Sequence, residues 1–586
     1  MKFTPQALLK IGAAALVIFV VASASAVFGG LGRHSAAFPL TLSNRVADAI
    51  WRAYSTAKWR QGRVNITQSG ANLHINTIYT ALNGRIFEIP TADRGGEGGD
   101  VTSVRDDLLL MTHDGRFFGG TAANGFHQLD GLRPPENGFQ AFFNATHVPP
   151  YNAAAENYAN FRYNGLSFFD TGQVAGLLIA YTYFDGAHKC YASRLARYDF
   201  PNRNAGIDQL SVAPGNWRVL FETKPCLPLH PGSPSIYVQE AGGRMVVDIP
   251  SKTVYLTSGN YDAPNPHGNI PLPQDQGNDY GKVLAINFDT GVSRHFSIGH
   301  RNPQGITRDS QGRIWEVEHG PWGGDELNHI IDGRNYGYPY ATYGAGYDHH
   351  PFPGVLHVGR HDGFEQPTMS WLPSIAPGTV LAVRGFNDNW NGDLLIGTLL
   401  TEKIVHVRLL GERIVFLEDI PIGRRVRSLR QHTDGSIVLW NGKNELIILT
   451  AAEPAVAPSP EQLASAINAP ADVRTAVSAE LTTCIQCHSF EPGDNNGRAP
   501  SLAEVYGSDV ASTDFPNYTP SLSRVGGSWS RQRIVEFLRD PSRFAPGTAM
   551  PNLGIEDETV RGGIADALAE LKRRSERESD APPAPH

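Results

Sequence analysis

The segment Cys484-Ile-Gln-Cys-His488 sets two thiols three residues apart, with an imidazole directly after the second. Thiols one helical turn apart can each form a thioether to a vinyl-derived carbon of a porphyrin, and the adjacent imidazole then lies under the iron. Cys484 and Cys487 are therefore the expected anchors of one covalent haem c, and His488 is its expected proximal ligand. A redox dithiol or half of a zinc site shares the spacing, but a zinc site needs a second ligand pair and no cysteine follows. Of five methionines only Met550 lies beyond the motif, in Pro546-Gly-Thr-Ala-Met-Pro-Asn-Leu-Gly554. A His488/Met550 pair would close both axial positions of the iron, which suits electron transfer and argues against an oxygen or redox sensor.

A second group of reactive side chains lies in the middle of the chain. Gly299-His-Arg-Asn-Pro-Gln-Gly305, Trp315-Glu-Val-Glu-His-Gly-Pro-Trp-Gly-Gly-Asp-Glu-Leu-Asn328 and Gly333-Arg-Asn-Tyr-Gly-Tyr-Pro339 read as strands flanked by loops dense in Gly, Pro, Arg, Asp and Glu. Loops at one end of a rigid β scaffold are where ligand groups usually sit, so these residues form a polar site by their own evidence and no more. Arginines there could equally make surface ion pairs. The remaining cysteines, Cys190 and Cys226, are an even number. In an oxidising compartment they are a disulfide candidate, the alternative being two separately buried thiols.

The elements that position these residues follow from pattern. From about Asn65 to about Thr450, short alternating or apolar runs are broken by turn residues, as in NTIYTALNGRIFEI, LLLMTHDGRFFGG, GKVLAINFDTGVSRHFS and VRSLRQHTDGSIVLW. So many antiparallel hairpins over several hundred residues favour a propeller over a sandwich. Asn124 to Pro234, rich in Asn, Tyr and Pro, reads as long insertions between blades. The Ala/Pro-rich residues 451–472 read as a semi-rigid linker. Residues 473–575 carry helical periodicity around the haem motif, and 576–586 read as a disordered tail. Residues 1–30 combine Lys2, Lys10, an apolar run and Ala22-Ser-Ala-Ser-Ala26, the marks of a cleaved export signal or a retained anchor. With 586 residues, 41% hydrophobic, the chain is long enough for more than one packed core. A net charge of −8 with mixed signs argues against nucleic acid as a partner.

The motif string GHRNPQG, EHGPWGGDELN and GRNYGYP closely resembles the soluble quinoprotein glucose dehydrogenase and aldose sugar dehydrogenase (sorbosone dehydrogenase-like) family. The resemblance runs from about Gly242 to about Leu449 and includes WLPSIAPGTV, GDLLIGTL and RRVRSLRQHTDG. The loop around Met550 is similar to the methionine loop of class I c-type cytochromes. Together these imply a multi-domain chain: an all-β six-bladed propeller in residues 31–450, then an all-α cytochrome c domain.

The resemblance further implies pyrroloquinoline quinone (PQQ), a planar ortho-quinone with three carboxylates, whose pocket calls for guanidinium forks and amide donors. By this likeness Arg301 and Asn302 contact the quinone, Arg425 and Arg427 hold carboxylates, and His319 lines the cofactor. Carbonyls of Gly320 and Pro321 would bind Ca2+, with Asp325 and Glu326 an acidic pair nearby. Two positions depart from the pattern. Glu240 opens Glu240-Ala-Gly-Gly-Arg-Met245 where the family has its histidine base; a carboxylate can serve if its pKa is raised. Leu400 falls where the family has a lysine, with Lys403 close by.

The implied protein is an exported, periplasmic quinohaemoprotein that oxidises a sugar-like substrate, passes electrons to its haem, and thence to a soluble cytochrome or terminal oxidase. A membrane contact would come only through the N-terminal segment. The alternative is a degenerate propeller serving as a docking or glycan-binding module beside a cytochrome relay.

Overall fold

The computed structural model describes residues 66–90, 98–146, 161–229, 240–452, 457–492, 499–513, 515 and 517–580. The expected export signal or anchor in residues 1–30 lies outside them, and no helix among the described residues is long and apolar enough to cross a membrane.

Among the described residues, twenty-six strands form six antiparallel sheets, each a blade. In chain order the innermost strands are Asp100–Val104, Tyr163–Asp170, Gly242–Asp248, Pro303–Arg308, Pro377–Ala382 and Ser428–Gln431. Inner strands are buried on both faces because blades pack against each other: every residue of Pro377–Ala382 and of Leu394–Thr398 is buried. The outermost strand of that blade, Arg413–Pro421, alternates exposed and partly buried residues, as a strand with one wet face must. The last blade closes the ring. Ser428–Gln431, Ile437–Trp440 and Glu445–Ala452 come from one end of the propeller sequence, Ala81–Glu88 and Gln68–Asn76 from the other.

Three expectations need correction. Asn83-Gly84 is not a turn: it lies inside Ala81–Glu88, and the chain reverses between Asn76 and Ala81. Glycine is needed at 84 for close packing, since a Cβ there would come within 2.8 Å of Leu73 Cβ. The stretch from Asn124 to Pro234 is not mainly insertion. It holds a full blade with the longest strands of the fold, Ala175–Asp185 and Cys190–Asp199, whose Tyr, Phe and Leu side chains build a buried core. The expected linker is also shorter than 451–472: Ala451 and Ala452 finish a strand, and Pro460–Ala466 is a helix capped by Ser459 and Gln462.

The helical domain packs Pro460–Ala466, Ala471–Cys484, Arg531–Arg539 and the long Glu558–Asp580 around Leu463, Val477, Leu481, Trp529, Ile534, Ile564 and Leu568. The final helix reaches Asp580, into the stretch expected to be a tail; residues 581–586 lie outside the described residues.

Candidate functional site

The six inner strands all begin at one end of the propeller, and the residues just before them converge there. Glu240 precedes Gly242–Asp248, Arg301 and Asn302 precede Pro303–Arg308, and Arg425 and Arg427 precede Ser428–Gln431. His319, Gly320 and Pro321 leave Ile314–Glu318 at the same end.

Glu240 and Arg301 form its centre. Arg301 Nη2 donates to Glu240 Oε1 at 2.6 Å, and both side chains are buried. Arg301 Nη1 donates to the carbonyls of His319 (3.3 Å) and Gly320 (3.1 Å). Arg301 Nε and Glu240 Oε2 have no hydrogen-bond partner in the protein. Burial pushes the Glu240 carboxyl up to about 7 against the pull of Arg301, with Asp262 adding to the rise. A carboxylate at that value is half ionised near neutrality, the condition for a base that must both take and release a proton.

A chain of amides ties this centre to the other arginines. Gln304 Nε2 donates to Asn302 Oδ1 at 2.6 Å, and Arg427 Nη1 donates to Gln304 Oε1 at 3.1 Å. Arg425 Nη1 donates to the Leu399 carbonyl at 2.9 Å. His319 Nε2 lies 3.1 Å from the Pro377 carbonyl, which can only accept, so that nitrogen carries the proton. Burial lowers His319 to about 4, with Arg427 and Arg301 disfavouring a second proton.

The structure thus gathers Glu240, Arg301, Asn302, His319, Gly320 and Arg427. It draws Lys403 away from them, its Nζ bound to Asp419 at 2.8 Å on the outer strands of its blade, while Leu400, next to the Leu399 carbonyl that accepts from Arg425, is exposed. Asp325 ties loops together. Its carboxylate accepts from Gly320 N (3.0 Å), Ile375 N (2.8 Å) and Ala376 N (2.7 Å), and so fixes two loops of the site face.

Behind Arg301 lies an acidic cluster that motif reading missed except for Glu326. Asn328 Nδ2 donates to Glu316 (3.2 Å), Glu318 (3.4 Å) and Glu326 (3.2 Å), all buried. His300 Nδ1 meets Glu318 at 3.1 Å, and ligand atoms of His300, Glu316 and Glu318 lie within 4.8 Å of one another, a set able to hold a cation. Burial raises both Glu316 and Glu326 above the usual carboxylate range. The signal was Glu-Val-Glu: residues two apart on a strand share a face.

In the helical domain Cys484 ends Ala471–Cys484 and is buried, Cys487 is exposed, and the His488 amide donates to the Cys484 carbonyl at 2.9 Å. His488 Nδ1 lies 2.7 Å from the Pro500 carbonyl, so Nδ1 is protonated and Nε2 keeps the lone pair a metal needs. Met550 is half-buried in the loop between Pro541–Phe544 and Glu558–Asp580. Cys190 and Cys226 are joined, with Cα atoms 5.5 Å apart.

Residues 229–449 match the Glucose / Sorbosone dehydrogenase family. Among curated proteins the chain is 30% identical over 212 residues to the aldose sugar dehydrogenase YliI of Escherichia coli, covering 33% of this chain and 55% of that protein. It is 36% identical over 129 residues to the quinoprotein glucose dehydrogenase B of Acinetobacter calcoaceticus, covering 18% and 26%. Its C-terminal region is 38% identical over 89 residues to a cytochrome c homologue of Rickettsia bellii, covering 15% and 50%. The chain therefore spans about half, or less, of each of these relatives.

Proposed function

We propose that this chain is a quinohaemoprotein sugar dehydrogenase. PQQ would be held by Arg301, Asn302, His319, Arg425 and Arg427, and Ca2+ by the carbonyls of Gly320 and Pro321. When bound, PQQ would supply a two-electron acceptor, and Ca2+ would supply Lewis acidity beside it. The arginines suit the cofactor's carboxylates, and the buried, partnerless Arg301 Nε and Glu240 Oε2 are a donor and an acceptor for groups from outside the protein. Glu240 takes the proton of the substrate hydroxyl at Oε2, while Arg301 holds Oε1 and so aims the carboxylate. Cys484 and Cys487 would carry the haem, and His488 and Met550 its iron. A soluble cytochrome or terminal oxidase would take the electron onward. The Cys190–Cys226 disulfide supports an oxidising, extracytoplasmic location.

The observation that carries this reading is the buried Glu240 carboxylate, tuned to about 7 and held by Arg301. It is tested by watching the haem absorption band of the holoprotein with PQQ, calcium and a panel of aldoses. A substrate should reduce the haem only when PQQ is present, at a rate that rises with pH through about 7, where Glu240 ionises. Glu240→Gln should slow it by roughly 10²–10⁴-fold, the usual weight of a general base. Failure to take up PQQ, with no sugar reducing the haem, would favour the docking-module reading, which the exposed Leu400 and the diverted Lys403 support.

A further inference from the structure

If sugar oxidation occurs where proposed, electrons must travel from the site face to the haem, and strand register fixes where the haem domain is tied on. Ser428 pairs with Trp440, and Trp440 with Leu446, so these residues share the level of Arg427. From Leu446 the strand runs away from the site face to Ala452, which pairs with Ala81 at the turn of the first hairpin. Six residues at 3.3 Å each put that point about 20 Å below the site level. Ala457 already packs on the core of the helical domain. The tether is thus the stretch from Ala452 to Ala457, which spans at most about 18 Å when fully extended. Asn76, on the same far hairpin, hydrogen-bonds Glu491, three residues past His488. The haem motif therefore hangs at the end opposite the site.

The site face itself presents an apolar crescent. Trp322 is 50% exposed, Tyr347 69%, Leu372 63% and Leu400 61%. These residues are held in place: Trp322 exchanges backbone hydrogen bonds with Ala345 at 2.9 and 3.1 Å, and its ring meets Tyr347 edge-on at 6.0 Å. The Leu372 side chain lies against Gly323, and Leu400 N donates to the Ile375 carbonyl at 3.2 Å. Trp322 follows Gly320 by two residues, and the Gly320 carbonyl accepts from Arg301 at 3.1 Å, so the crescent borders the centre of the site. On the haem domain Ile485, between the two anchor cysteines, is 42% exposed beside exposed Cys487.

We propose that this crescent docks the haem-bearing face of a second copy of this chain, so that electrons pass between chains rather than within one. The inference rests on the dehydrogenase reading above. The short tether at the far end denies a chain's own haem the path to its own site face. A second copy meets no such limit and brings an apolar haem edge to an apolar rim. Each conversion of a hydroxyl to a carbonyl releases two electrons and two protons; the protons go to water, and two ferric haems each take one electron. Such a contact is head-to-tail: one chain gives through its site face and receives through its haem domain.

The test uses full-length holoprotein. With substrate in excess, the rate of haem reduction per haem should rise in proportion to protein concentration, as a second-order step requires; a rate independent of concentration overturns the proposal. Mixing a haem-bearing Glu240→Gln chain with a Cys484→Ala/Cys487→Ala chain should restore haem reduction that neither shows alone. Leu372→Asp should slow transfer to haem by about tenfold, as loss of an interface anchor does, and leave turnover with a small diffusing dye unchanged. Sedimentation velocity of resting protein decides the docking without catalysis. Association that grows with concentration and weakens in Leu372→Asp supports it, and a monomer at every concentration overturns it. Absence of dye reduction with any sugar, by contrast, removes the dehydrogenase reading while sedimentation still decides the contact.

Discussion

For Glu240, the proposed base, ionisation has opposite consequences for the proposed catalysis and for stability. Its carboxyl is raised from 4.5 to about 7 in the fold, chiefly by burial, so the native state binds its proton more tightly than the unfolded chain does. A raised group contributes stability that is complete below its unfolded value and lost as pH climbs through its folded value. The difference amounts to about 3 kcal/mol between pH 4.5 and 7. Thermal melts of the cofactor-free protein should fall over that window, and Glu240→Gln should melt more evenly across it. Equal pH dependence in the two proteins would mean the carboxylate is ionised throughout. At this scale the sequence was legible where spacing is covalent or motif-bound. The spacing of Cys484, Cys487 and His488 at a helix end, and the place of Arg301 just before an inner strand, follow from motifs. The bridging role of Gln304 and the loop-tying role of Asp325 do not, because each depends on side-chain partners from other blades or loops.

Elements show a different limit. Most turn signals fell where Asp-Gly or a similar pair placed them, as at Asp434-Gly435, but Asn83-Gly84 gave a false one because close packing can demand glycine as strongly as a turn can. The turn that replaces it, between Asn76 and Ala81, is clamped through His406. The buried His406 ring lies 2.8 Å from Asp393 and 3.0 Å from Glu418, whose other oxygen accepts from Ile78 N at 2.6 Å. Burial alone would lower His406, yet the two carboxylates raise it above 6.5. Its contribution is therefore present below the unfolded value and lost as pH rises through the folded one. His406→Gln should abolish an alkaline loss of stability seen in the parent protein by calorimetry. In the helical domain Gly563 lets the last helix cross Ala471–Cys484 closely: a Cβ there would lie 2.6 Å from Val477 Cγ2. Gly563→Val should cost about 1–3 kcal/mol of overpacking, read as a lower midpoint for loss of the haem domain's helical signal in urea.

For the whole molecule, recurrence of hairpins announced a propeller, but its closure was invisible to local reading. Ala81–Glu88 pairs residue for residue with Glu445–Ala452, a partner more than 350 residues away, and no local pattern encodes that ladder. Closure makes the ring one cooperative unit, whereas the haem domain has its own buried core, from Leu463 to Leu571, and a short tether. A chain ending at Ala452 should therefore keep the propeller's melting transition to within a few degrees and keep dye-linked sugar oxidation, since every residue of the proposed site lies above the cut. A chain beginning after Glu88 should lose both, because the ladder that joins the two ends of the ring is gone and Glu445–Ala452 becomes an open edge prone to pairing with other chains. Far-UV melts and size-exclusion profiles of the two truncations distinguish these outcomes. If the first loses its melt and the second keeps it, the haem domain rather than the ladder holds the propeller together.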